Sequence, residues 1–137
     1  MKAIPDSPNA MVLRTDFSDD AAWEAICQEI SEPVGEFRAY VDFLSDDSFK
    51  GLKPDKLLSR IPSDYRHTFI FVVDRLTLSD PEHPVLVIDL HDNPGEAFRV
   101  IPCEMWGIEN NLSIGNMGFE EFADEVDEDG IFRGFPR

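Results

Sequence analysis

The chain has 137 residues, 42% of them apolar, and carries 28 acidic against 12 basic side chains for a net charge of −16. That length suits one domain, able to bury roughly two thirds of its unfolded surface without a metal or disulfide staple. The charge should repel phosphate backbones and anionic membranes, which argues against nucleic-acid and membrane-surface binding and for basic partners.

Residues 1–10, with Pro5, Asp6, Ser7, Pro8 and Asn9, read as a flexible tail ahead of a single domain over residues 11–137. Met11 to Thr15 reads as a first strand. It runs into Asp16-Phe17-Ser18-Asp19-Asp20, where Asp16 or Ser18 is the expected cap of a helix over about 19–30. Ala22, Trp23, Ile26, Cys27 and Ile30 form its apolar stripe, and Pro33 and Gly35 end it. A second strand, about 37–44, alternates Phe37, Ala39, Val41 and Phe43 with polar neighbours, so one face should be wetter. Pro54 opens a short helix whose Leu57, Leu58 and Ile61 face inward.

Two unbroken apolar runs follow, Phe69-Ile70-Phe71-Val72-Val73 and Val85-Leu86-Val87-Ile88. A strand with water on one face alternates, so these two should be covered on both faces at the centre of a sheet. Pro81 and Pro84 keep the link over 76–84 out of regular structure. His91-Asp92-Asn93-Pro94-Gly95 is a hairpin-length turn into a strand over 97–102. Beyond Cys103 the pattern is helical or irregular. A last helix, about 117–128, carries Phe119, Phe122, Ala123 and Val126 and stops at Gly130, after which Ile131, Phe132 and Phe135 tuck back onto the body. The order β-α-β-α-β-β-β-α predicts an α/β or α+β domain with a mixed sheet of about five strands and helices packed on it.

Cys27 and Cys103 have neither metal nor C-x-x-C spacing, and buried reduced thiols are expected. The opening Met1-Lys2-Ala3-Ile4-Pro5-Asp6 has no apolar signal core, and no run approaches the roughly 20 apolar residues of a membrane span. The expected location is a reducing cytoplasm.

Several stretches resemble an uncharacterised family of small bacterial proteins, a domain of unknown function. They are Leu13 to Asp20 with Trp23, His67-Thr68-Phe69, Asp80 to Pro84, Glu109 to Ile114 with Asn116-Met117, and Phe119 to Ala123 through Asp129-Gly130. The resemblance implies a bacterial source and a stand-alone domain. It implies no activity, cofactor or catalytic residue.

Asp16, Asp74 and Asp89 each follow an apolar strand. Ligands of open α/β sheets gather beyond the carboxyl ends of strands, so these carboxylates could form a hard-oxygen Mg²⁺ site for hydrolysis or phosphoryl transfer. The plainer reading makes Asp16 a helix cap and the others loop-start residues, and a hairpin could carry Asp89 to the opposite edge. No glycine-rich phosphate loop, G-x-G-x-x-G or G-x-S-x-G is present. Glu125 to Gly130 begins like a Ca²⁺ loop, but Pro136 stands where the bidentate glutamate belongs. Cys103 and His91 could be drawn as nucleophile and base, with an inert thiol as the plainer reading. Nothing calls for a cofactor or a resident metal.

From Glu104 to Asp129 there are nine acidic residues and no lysine or arginine. A single sign of charge concentrated there steers a basic partner. The leading expectation is therefore a non-catalytic interaction protein, immunity- or antitoxin-like by analogy. Trp106 would be its anchor and Glu109, Glu120, Glu121 and Asp124 its charged contacts. Asn110, Asn111 and Asn116 read as side chains bracing a loop through its main chain.

Overall fold

The computed structural model describes residues 1–136. Six strands are named in chain order: β1 (Ala10–Arg14), β2 (Val41–Leu44), β3 (Phe69–Val73), β4 (Val85–Asp89), β5 (Ala97–Val100) and β6 (Ile131–Phe132). They make one mixed sheet in the order β2-β1-β3-β4-β5-β6. β1 runs parallel to both β2 and β3, β4 is antiparallel to β3 and β5, and β6 is parallel to β5. The two unbroken apolar runs are the two central strands. All five residues of β3 are buried, and in β4 only Leu86 is half-buried.

Successive strand residues point to opposite faces, and each face has its own core. Val12, Phe69, Phe71, Val73, Val85, Val87, Phe98 and Val100 meet helices α1 (Asp20–Ser31), α4 (Met105–Ser113) and α5 (Phe119–Ala123). Leu13, Ile70, Val72 and Ile88 meet Phe49 of a 3₁₀ turn, Leu57 of α2 (Pro54–Leu58), and Ile4. The N-terminal segment expected as a tail thus contributes to the core. Ile4 is fully buried and its amide donates to the Arg60 carbonyl at 2.8 Å.

The three layers follow from chain handedness. A parallel crossover is right-handed, so stepping from β1 to β2 and then back across β1 to β3 puts the two connections on opposite faces. α1 covers one face; the 3₁₀ turn and α2 cover the other. The strand order reverses between β1 and β3, which leaves a crevice at their carboxyl ends.

Four local expectations are corrected. The cap of α1 is Asp19, whose carboxylate accepts from the Ala22 amide at 3.0 Å, while Asp16 binds Ser18 instead. The link between the central strands contains a short helix, α3 (Arg75–Ser79), opened by a reciprocal capping pair of Asp74 and Thr77. The last helix, expected over 117–128, is the shorter α5, and the stretch beyond Cys103 that reads as helical or irregular forms α4. Ile131 and Phe132 do tuck back, and they do so as a sixth strand on β5.

Candidate functional site

The ends of β1 and β3 frame a cleft of about 440 Å³. Thr15 and Asp16 come from the first strand end, Asp74, Arg75 and Leu76 from the second, and Arg99 reaches in from β5. The wall opposite is residues 51–54. Gly51 holds it in place: its amide donates to the Thr15 carbonyl at 2.8 Å, and its φ of +72° is left-handed backbone that a side chain would strain.

Two of the three strand-end aspartates therefore share this cleft. Asp89 does not, because β4 runs against β3 and carries it to the opposite end of the strands, beside Phe69. There it is 2% exposed and accepts from the amides of His91 and Asn93, both at 2.9 Å, building the turn.

Asp74 is fully engaged. Its Oδ1 accepts from the Thr77 amide at 3.2 Å and Arg99 Nη1 at 3.0 Å, and its Oδ2 from Arg99 Nη2 at 2.7 Å; the Thr77 hydroxyl, 3.0 Å from Oδ1, shares its one proton between Oδ1 and the Pro84 carbonyl at 2.8 Å. Burial pushes its pKa up, but the Arg99 bonds and charge and the Thr77 bonds outweigh burial, and the carboxyl lies below its ordinary value. Asp16 is also held below its ordinary value, first by the Ser18 hydroxyl and then by the Ser18 amide. Two carboxylates held ionised make poor general acids or bases near neutrality. Among the described residues no group of three or more His, Cys, Asp and Glu side chains could hold a metal ion.

The acidic segment separates into distinct roles. Glu109 is 5% exposed and serves the fold. It accepts from the Tyr40 amide at 2.7 Å, Asn110 Nδ2 at 2.8 Å and the Ser113 hydroxyl at 2.7 Å, tying α4 to the segment before β2. Replacing it with alanine leaves these donors without their acceptor and should cost about 2 kcal/mol in chemical denaturation, with Glu109→Gln losing less. Glu121 accepts from the Gly118 amide at 2.7 Å, and Asp127 and Asp129 clasp Arg133. Glu120 on α5 and Asp124, the residue that caps its C-terminal end, are exposed. The asparagines brace the chain: Asn110 Nδ2 donates to the Arg38 carbonyl at 3.1 Å, Asn111 Nδ2 to the Gly107 carbonyl at 2.7 Å, and Asn116 Nδ2 to Asn111 Oδ1 at 2.9 Å.

Trp106 is half-buried, stacked on Phe37 at 4.4 Å between centroids and 12° between planes. Phe37 is the more exposed ring at 49%, and Tyr40 and Val34 are exposed beside it. Val34 and Phe37 exchange backbone hydrogen bonds of 2.8 and 3.1 Å, which fixes them side by side. Val34 also lines a groove of about 280 Å³ with Glu29, Glu32, Pro33, Glu82, Ile101, Pro102 and Cys103. Among the described residues, three glutamates and no lysine or arginine line it. The sequence reading missed this groove because its walls come from three separated segments; the exposed Val34-Phe37-Tyr40 run was the available signal.

Cys103 is exposed at the groove, contrary to the expectation of a buried thiol, and Cys27 is half-buried. Partial burial, then Glu104, pushes the Cys103 thiol up; burial pushes Cys27 up to about 11. Raised thiols are weak nucleophiles. His91 sits before β5 and Cys103 after it, so the strand holds the two apart.

A mixed sheet covered on both faces, with a cleft where its strand order reverses, defines an open α/β domain of the kind that takes ligands at its strand ends. No helix among the described residues is long and apolar enough to cross a membrane. The chain belongs to the family described as a domain of unknown function, DUF6924, whose model matches residues 9–135. This agrees with the resemblance carried by its sequence motifs. No curated protein matches the chain.

Proposed function

We propose that this is a non-catalytic interaction protein of a reducing bacterial cytoplasm, whose acidic surface receives a basic partner. The observation that carries the reading is the groove lined by Glu29, Glu32 and Glu82, with its apolar floor and the exposed Phe37 paired to its lining residue Val34; Glu82 is engaged by Arg133 and Glu29 by His83, so Glu32 is the acid that most directly faces a partner. Interfaces are anchored by desolvated rings and steered by complementary charge. Here both features meet in one place. An inhibitor of a basic enzyme, in the manner of an immunity protein or antitoxin, fits these physics. Glu120 on α5 and Asp124 at its C-terminal end carry the same sign of charge and raise the encounter rate without forming the anchor.

The alternative, a metal-dependent hydrolase or phosphotransferase, draws support from the shared cleft of Asp16 and Asp74. It is weakened by the commitment of Asp74 to Arg99 and Thr77 and by the distant position of Asp89.

The test is capture of a partner from the native host by tagged wild-type protein, Glu32→Lys and Phe37→Ser. Wild type should retain a basic protein near 0.1 M salt and release it near 1 M, where the screening length falls from about 10 Å to about 3 Å. Both variants should lose it. A partner held equally by all three proteins, or insensitive to salt, overturns the proposal.

A further inference from the structure

We infer that the cleft between the ends of β1 and β3 binds a small organic anion with an apolar body. Its volume of about 440 Å³ lies within the roughly 300–1,000 Å³ of small-molecule sites. Its position is the reversal of strand order, where open sheets take their ligands. Leu57, Val72 and Leu86 form an apolar lining, and Leu76 stands beside it 45% exposed.

The charges give the ligand its sign. Asp74 and Arg99 neutralise each other through two parallel bonds. Asp16 accepts from Ser18, is answered in part by the Arg75 charge, and is the one carboxylate among the described lining residues that would oppose an anion, since Asp74 is paired. Lys53 and Arg75 line the cleft, are exposed and make no salt bridge among the described residues. On a chain of net charge −16 these two cations outnumber Asp16 and leave the cleft one positive charge, and a concave site focuses that field on an incoming anion. An inorganic anion would leave the apolar lining wet, and a neutral apolar molecule would leave the cations unanswered. A carboxylate or phosphate ester on a flat hydrocarbon body satisfies both.

The probes are 2-naphthoate, 2-naphthyl phosphate, the neutral 2-naphthalenemethanol and inorganic phosphate, titrated by calorimetry and by amide chemical shifts. One of the two charged naphthyl probes should bind one per chain, the tighter of them naming the headgroup. Shifts should centre on Gly51, Val72, Arg75 and Leu86. The doubly substituted Lys53→Ala/Arg75→Ala protein, altered only at exposed positions, should keep its melting temperature and bind about tenfold more weakly. The neutral probe should bind wild type about as weakly as the charged probes bind the variant. The inference fails if neither charged naphthyl probe binds at millimolar concentration, if the variant binds as well as wild type, if inorganic phosphate competes equally, or if the shifts centre on Val34 and Phe37.

Discussion

Phe71→Ala should cost about 4 kcal/mol, within the range of Phe-to-Ala truncations in well-packed cores. Phe71 is fully buried in the central strand β3, with Val12 of β1 on one side and Val87 of β4 on the other. Its ring meets Phe69 edge to face, 5.4 Å between centroids and 84° between planes. Truncation therefore removes the ring's transfer free energy and opens a cavity that the hydrogen-bonded neighbouring strands cannot close. A domain with about 5–15 kcal/mol of total stability loses a large fraction of it. The measurement is the guanidinium midpoint at unchanged slope, with Phe71→Leu as the conservative control losing much less. A loss under about 1.5 kcal/mol for the alanine variant would mean that this face is not closely packed.

The same residue shows why the centre of the fold was legible and its periphery was not. Phe69–Val73 and Val85–Ile88 lack alternation because both faces are covered, and their short length and β-branched or aromatic content favour a central strand over a buried helix. β6 has two residues, too few for any period, and exists because Gly130 and Phe132 offer carbonyls to β5. α3 was hidden by the prolines that follow it; its Asp74–Thr77 capping pair is local and was the missed signal. Among the site residues, each strand-end aspartate was visible, but what it does depends on strand direction. Parallel β1 and β3 bring Asp16 and Asp74 together, and antiparallel β4 removes Asp89. Glu109 belongs to an acidic segment and reads as a charged contact for a partner; its burial is set by the Tyr40 amide, 69 positions away. Arg99 carries no sequence mark at all. Its role requires the register that sets it opposite Leu86, beside the cleft.

That arginine supports the second large effect. Arg99→Ala should destabilise the protein by about 3 kcal/mol at neutral pH, the lower end for breaking a buried ion pair by removing one partner. The side chains of Arg99 and Asp74 are 20% and 27% exposed, so the pair is screened only in part. The Pro84 carbonyl, which also accepts from Arg99, keeps its bond from the Thr77 hydroxyl at 2.8 Å, so the cost falls mainly on Asp74. The pH dependence follows from the depressed carboxyl. A group ionised more readily folded than unfolded adds stability above its unfolded value, near 3.8, and loses it as pH falls through the lower folded value. In Arg99→Ala the burial that raises this pKa acts without the arginine that opposed it. Asp74 then takes up its proton at higher pH than in wild type, and the deficit of the variant should narrow as the solution is acidified through pH 4. Arg99→Met with Asp74→Ser, which keeps a capping hydroxyl at the start of α3, should recover roughly 2 kcal/mol of the loss. Denaturation curves across the acid range decide the matter: a deficit that stays constant with pH, or a double variant as unstable as the sum of its parts, would show that Arg99 contributes through packing and not through the Asp74 charge.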